Sequence, residues 1–280
     1  MSPIRSVLVH LDGCPRAAVR LGVAHDLCRG HEAALTALFA VAPRIPELPA
    51  GQAHHAATVP AFDRIDPEHR RVARAMFDRA MASGAVAGTW QELAGEPPVA
   101  AFIERAFHAD LVVLGQRDPV EAAGFDVPAD FVESVIMASG KPALVVPYVG
   151  EARATPDVVL VAWKPTRESA RALAASLPIL QRARRIHVVA SAQDDARSAL
   201  ARTGIERLLQ LHGIHEVRQH PGLGELERDA GNGLLSLAAD VGADLLVMGC
   251  YGHSRALEFV LGGASRTILQ SMTLPVLMAH

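Results

Sequence analysis

The stretch "GADLLVMGCYG" (residues 242–252) has a counterpart earlier in the same chain, "HADLVVLGQRD" (108–118). Each runs from an Ala-Asp pair through four apolar residues to a glycine. A run this short, rich in Leu and Val and stopped by glycine, reads as a strand buried on both faces of a parallel sheet. Working outward, the match continues. "SVLVHLDGCPRAAVRL" (6–21) answers "VVLVAWKPTRESARAL" (158–173), and "SVIMASGKPALVVPY" (134–148) answers "TILQSMTLPVLMAH" (267–280). The chain therefore holds two copies of one α/β unit.

Each copy supplies five strand candidates: 6–11, 34–41, 89–94, 110–115 and 143–148, then 158–163, 186–191, 215–220, 244–249 and 275–280. Helix-period segments lie between them, at 15–29, 66–83, 97–108, 167–181, 196–212 and 231–241. Strands alternating with helices predict an α/β fold of two tandem five-stranded parallel open-sheet domains, Rossmann-like, with helices on both faces. The polar segment "YVGEARATPD" (148–157) is the expected junction, which gives domains over 1–150 and 151–280. The first copy is longer by a Pro-, Ala- and His-rich loop at 44–63.

Composition narrows the functional classes. The 280 residues carry 27 Lys+Arg against 30 Asp+Glu and no basic run, which argues against a dedicated nucleic-acid surface. No window reaches the roughly 18–20 uncharged apolar residues of a membrane span, and only a short apolar stretch precedes Asp12, so no signal peptide is expected. Cys14, Cys28 and Cys250 show no C-x-x-C spacing, which fits a reducing cytoplasm better than a disulfide framework or a zinc site. His54 and His55, with Asp63, Asp66 and His69 nearby, match no metal-binding spacing.

In open parallel sheets, ligands sit outside the carboxyl ends of the strands where the strand order reverses. The loop after the second copy's fourth strand, within "ADLLVMGCYGHSRALEFVLGGASRTIL" (243–269), occupies that place. Gly249 lets the chain turn, and Gly252 lets a ligand approach the backbone. His253, Ser254 and Arg255 follow. Gly262, Gly263, Ala264 and Ser265 then open a helix predicted over 263–272, whose unpaired N–H groups and positive dipole end suit a phosphate. The same glycines equally serve tight turns and close helix–sheet packing. Neither G-x-x-x-x-G-K-[ST] nor G-x-G-x-x-G is present.

Taken together these features resemble a tandem universal stress protein, with two UspA-like domains spanning the chain. Nucleotide-binding members of that family carry G-x2-G-x9-G-[ST], and Gly249, Gly252 and Gly262 reproduce its spacing. The resemblance implies that this loop holds the ribose and phosphates of ATP, or of another adenine nucleotide, with Mg2+ accompanying it. Gly263 stands where the family has Ser or Thr, and Ser265 lies two residues on. The resemblance also places an Asp beside adenosine at the end of the first strand. Asp12 holds that place in the first domain and Lys164 in the second, where a cation would face phosphates instead. Adenine's backbone partners would lie near Val188, Val189 and Ala190.

The first domain has Asp118 for the second glycine and Asp130 before its last helix, carboxylates that repel phosphate. It is expected to bind ATP poorly. The terminal strands of the two domains are expected to pair as a pseudo-dimer within one chain, with a homodimer through other surfaces also open. The resulting expectation is a cytoplasmic stress-response sensor or regulator, with slow ATP hydrolysis at most. The alternatives are a partner-binding scaffold without nucleotide and, more remotely, a hydrolase using His253 or Cys250, the latter expected to be partly exposed.

Overall fold

The structure, a computed structural model, describes residues 4–42, 67–93, 96–120, 126–190, 195–223, 229–250 and 263–280. The inserted segment at 44–63 lies outside them. In the N-terminal half the elements are β1 (Ser6–Leu11), α1 (Arg16–His31), β2 (Ala34–Phe39), α2 (Pro67–Met81), β3 (Gly88–Glu92), α3 (Pro98–Ala106), β4 (Leu111–Gly115), α4 (Phe131–Ser139) and β5 (Ala143–Val146). The C-terminal half follows with β6 (Val158–Trp163), α5 (Arg167–Leu180), β7 (Arg185–Ala190), α6 (Asp195–Leu211), β8 (Val217–His220), α7 (Ala230–Val241), β9 (Leu245–Gly249), α8 (Ala264–Ser271) and β10 (Val276–Ala279). All ten strand segments found by periodicity are strands; β2 stops at Phe39 and β8 begins only at Val217.

The strands form one ten-stranded sheet in the order β3-β2-β1-β4-β5-β10-β9-β6-β7-β8. Pairing is parallel within each half, and β5 and β10 are antiparallel where the halves meet, with Val145 opposite Val276. Each half is thus a five-stranded α/β unit whose strand order reverses beside its first strand. The register confirms the internal repeat: β1 aligns Val9 with Val113, and β6 aligns Val161 with Val247.

The Ala-Asp pair of the repeat has a physical purpose. Asp110 Oδ2 accepts the backbone N–H groups of Arg5 (2.8 Å) and Ser6 (2.9 Å), and Asp244 Oδ2 accepts those of Asp157 (2.8 Å) and Val158 (3.0 Å). Each aspartate satisfies otherwise unpaired donors where the neighbouring strand enters the sheet. Helix ends follow local chemistry as well. Thr166 caps α5 by accepting the Ser169 N–H, while α4 and α7 stop at Gly140 (φ 63°) and Gly242 (φ 64°), left-handed positions suited to glycine.

Two apolar layers sandwich the sheet. One contains Leu21 of α1, Phe77 of α2, Leu173 of α5 and Leu209 of α6; the other contains Phe102 of α3, Ile136 of α4, Leu234 of α7 and Ile268 of α8. Burying an aliphatic or Phe side chain of this kind contributes about 1.5–3 kcal/mol, so each layer bonds its helices to the sheet and the two halves to each other. Among the described residues, no helix is long and apolar enough to cross a membrane.

Candidate functional site

Because the halves share one topology, the crevice at the carboxyl end of β1 and β4 can be compared directly with that of β6 and β9. In the N-terminal half large buried side chains form the floor. His10 is 2% exposed, and its Nε2–H donates to the Ala40 carbonyl at 2.8 Å. Its ring centroid lies 4.4 Å from that of Phe131, at the start of α4, and 5.8 Å from that of Phe102. Burial and the nearby Arg20 push the His10 pKa down to about 4, so the ring is neutral.

Asp12, the expected adenosine partner, is already engaged. Arg20 Nη2 lies 3.1 Å from its Oδ2, the Cys14 N–H donates to Oδ1 at 3.2 Å, and both charged side chains are buried. Burial opposes ionisation of Asp12, but the Arg20 guanidinium beside it outweighs that and holds the pKa at about 2. Arg20 Nε also donates to the His10 carbonyl at 2.6 Å. Its guanidinium rests on Gly115, where a Cβ would collide with Nη1 and stand 3.0 Å from Cζ. The sequence analysis missed Arg20. The legible signal was its spacing from Arg16, four residues along α1 and so on the same helix face.

The C-terminal half replaces three of these groups by alanine. Ala162 stands at the position of His10, Ala172 at that of Arg20, and Ala264 at that of Phe131. Ala162 and Ala264 are partly exposed. Lys164 follows β6, and its carbonyl accepts the Thr166 N–H at 2.7 Å in the turn leading to α5. Gly263 stands at the N-cap of α8 and has no side chain with which to cap it; Ala264 opens the helix, and Ser265 is buried in its first turn. The structure brings Gly249, Gly263, Ala264, Ser265 and Lys164 to the carboxyl end of the same half-sheet. Gly252, His253, Ser254, Arg255 and Gly262 lie outside the described residues.

Three placements differ from the sequence expectation. Gly249 lies against the first turn of α5: a Cβ there would stand 2.6 Å from the Glu168 carbonyl carbon and 2.9 Å from Glu168 Cβ. Its missing side chain is used by helix packing. Val188 is fully buried in mid-strand, in register with Val161 of β6 and Gln219 of β8, so the sheet occupies its backbone; Ala190 is the position at the strand end. Cys250 is 2% exposed rather than partly open, because it continues the ladder, its N–H donating to the Ala279 carbonyl at 3.0 Å. Cys14 is likewise no reactive thiol, since burial and then Asp12 push its pKa up to about 12. His69 pairs through Nδ1 with Asp126 Oδ2 at 3.0 Å.

The N-terminal crevice also holds a cavity of about 860 Å³. It opens at the ends of β1, β4 and β5, and α8 of the other half contributes Arg266, Leu269 and Gln270 to its wall.

Residues 156–280 match the sequence profile of the Universal stress protein family. The C-terminal half belongs to the universal stress protein family. The whole chain has the fold of a solved universal stress protein from Archaeoglobus fulgidus DSM 4304, with 18% identity, coverage of 98% of this chain and 95% of that one, and a TM-score of 0.72. A functionally unknown protein from Pseudomonas aeruginosa PAO1 aligns at 13% identity over 99% of this chain and 92% of its own, with a TM-score of 0.59. A single-domain-sized universal stress protein from Archaeoglobus fulgidus, solved in complex with dAMP, covers 51% of this chain and 98% of its own at 16% identity and a TM-score of 0.34. No curated protein matches the chain in sequence. The universal stress protein domain thus coincides with the half whose crevice floor is lined by small residues.

Proposed function

We propose that the chain is a tandem universal stress protein, with domains over 1–150 and 151–280, that binds an adenine nucleotide in its C-terminal domain. ATP, with Mg2+ beside its phosphates, is the nucleotide implied by the family resemblance that the spacing of Gly249, Gly252 and Gly262 carries. The observation that carries the reading is the contrast between the two crevice floors. Buried His10 and Phe131 in the first half give way to the small, partly exposed Ala162 and Ala264 in the second. A helix start presents N–H donors suited to a phosphate, and Gly263 and Ala264 place no bulk there. In this reading Gly249 shapes the crevice by letting α5 approach, and ligand contacts fall on 252–255 and 262–265. Lys164 faces the phosphates.

The domain acts as a sensor or regulator rather than a turnover enzyme, and the β5–β10 pairing makes the two domains a pseudo-dimer in one chain. The test is mass spectrometry of small molecules released on denaturing gently purified protein, then ATP titration of the stripped protein. The expected result is a stoichiometric adenine nucleotide, with affinity lowered at least about tenfold by Gly252→Asp or Gly262→Val, the loss of roughly one good polar contact. Absence of binding at millimolar ATP would overturn the proposal and leave a partner-binding scaffold.

A further inference from the structure

We propose that the cavity of the N-terminal half is a binding site for a small amphipathic monocarboxylate, its carboxylate on Arg16 and its apolar body reaching toward α8. The volume, about 860 Å³, lies within the roughly 300–1,000 Å³ typical of small-molecule pockets. The site is independent of the nucleotide reading, since it uses a different crevice and different residues.

The charges on its wall decide the class of ligand. Asp12 is matched by Arg20 at 3.1 Å. Arg117, Asp118, Glu133 and Arg266 also line it. Among the described residues, no ion pair joins Arg16 to Asp130. Asp130 has local partners: it precedes α4, and its Oδ2 accepts the Ser134 hydroxyl at 2.9 Å. Among the described residues, Arg16 has only neutral partners. Its Nε and Nη2 donate to the Pro147 carbonyl at 3.0 and 2.9 Å, and Nη2 donates to the Gly150 carbonyl at 2.7 Å. These bonds aim the guanidinium without neutralising it.

Arg16 is also the first residue of α1, and the first turn of α1 contains no acid. A cation at a helix N-terminus meets the positive end of the dipole and is unfavourable without an anion beside it. A guanidinium anchored by carbonyls at such a place is suited to a carboxylate.

The remaining wall rejects a polyphosphate and accepts an apolar body. Asp118 and Asp130 replace the Gly252 and Gly263 of the other half, so additional negative charge would meet carboxylates. Arg16 and Asp130 belong to helices on opposite faces of the sheet, with α1 in one apolar layer and α4 in the other. A single carboxylate on the α1 side therefore leaves the rest of the molecule over Val127, Val132, Tyr148 and Leu269. The ligand would touch both halves of the chain, because Leu269 belongs to α8.

The test uses the full chain with octanoate as the probe and 1-octanol and octylammonium as controls, followed by calorimetry and by the NMR shift of the Arg16 Nε–H. Octanoate is expected to bind at least about tenfold more tightly than either control, as a charge-assisted bond requires. It should also shift the Arg16 signal and the Leu269 amide. Arg16→Gln should abolish the preference, and Arg16→Lys should keep most of it. Equal affinities for octanoate and octanol, no binding of octanoate, or a preference that survives Arg16→Gln would overturn the proposal. Should Arg16→Gln fail to fold, the wild-type ligand series and the Arg16 shift decide it alone.

Discussion

Gln116 joins the two halves through its side chain: Nε2–H donates to the Leu269 carbonyl at 3.0 Å, and Oε1 accepts the Tyr148 N–H at 3.0 Å. The residue is 7% exposed at the end of β4, and its counterpart in the second half is Cys250, so the bolt exists once. It fastens α8 of one half to the strand ends of the other.

Removing that amide leaves a buried carbonyl and a partly buried N–H without their partners. Gln116→Leu is expected to destabilise the chain by about 2–4 kcal/mol, at roughly 1–3 kcal/mol per unsatisfied group less the gain from an apolar side chain. Urea unfolding followed by tryptophan fluorescence measures this, because Trp90 and Trp163 lie one in each half. A loss below about 0.5 kcal/mol, typical of a surface change, would mean that the bond contributes nothing.

Gly249 and Gly115 occupy equivalent strand ends but face different neighbours. A methyl on Gly249 meets the backbone of α5, whereas one on Gly115 meets the Arg20 guanidinium. Gly249→Ala should therefore cost about 1–3 kcal/mol through overpacking, in the absence of any ligand. Thermal denaturation of the stripped protein tests it. A variant as stable as the parent, yet impaired in nucleotide binding, would reassign Gly249 to direct ligand contact.

Stability should fall with acid in two stages. The folded His10 pKa is depressed from 6.5 to about 4, so between those values the unfolded chain takes up a proton that the folded chain refuses. The loss, complete near pH 4, is about 3 kcal/mol. His187 adds to it in the same direction: burial, then the proximity of His220, lowers its pKa, with Nδ1 only 2.7 Å from His220 Nε2. Asp12 acts at lower pH. Its folded pKa is lowered from 3.8 to about 2, so its contribution is full above pH 4 and disappears as pH falls through 2. Urea midpoints from pH 7 to 4 should decline less steeply in His10→Gln; an unchanged slope would contradict the assignment.

The Asp12–Arg20 pair should be costly to break on one side only. Arg20→Met leaves a buried carboxylate without its cation and is expected to destabilise by about 3–5 kcal/mol. Adding Asp12→Asn should recover part of that loss, giving a non-additive double mutant. Simple additivity in denaturant unfolding would show that the two side chains do not interact.

Much of this architecture was legible before any coordinates. The strands announced themselves because Leu- and Val-rich runs buried on both faces need no partner to be recognised, and the Ala-Asp repeat marked equivalent strand entries at Asp110 and Asp244. The candidate site was legible as a spacing only. Gly249 read as a turn in a nucleotide loop or as a site of close helix–sheet packing; its missing Cβ serves the backbone at Glu168 and Ser169, and periodicity cannot tell which neighbour claims the space. Cys250 read as open loop because a pattern cannot show that a strand ladder runs one residue further. Arg20 drew no reading, since nothing local says that a long side chain will fold inward over Gly115.

The sequence by itself determined the order and type of the elements, their twofold repetition and the differences between the halves, His10 against Ala162 and Phe131 against Ala264. Those properties reside in local period and residue identity. Only the tertiary structure decided that Arg20 neutralises Asp12 and that α8 walls a cavity in the other half. Each depends on packing between distant parts of the chain. Gln116 and Leu269 are 153 residues apart, and a hydrogen bond between them follows from how two folded units fit together rather than from any pattern along the backbone.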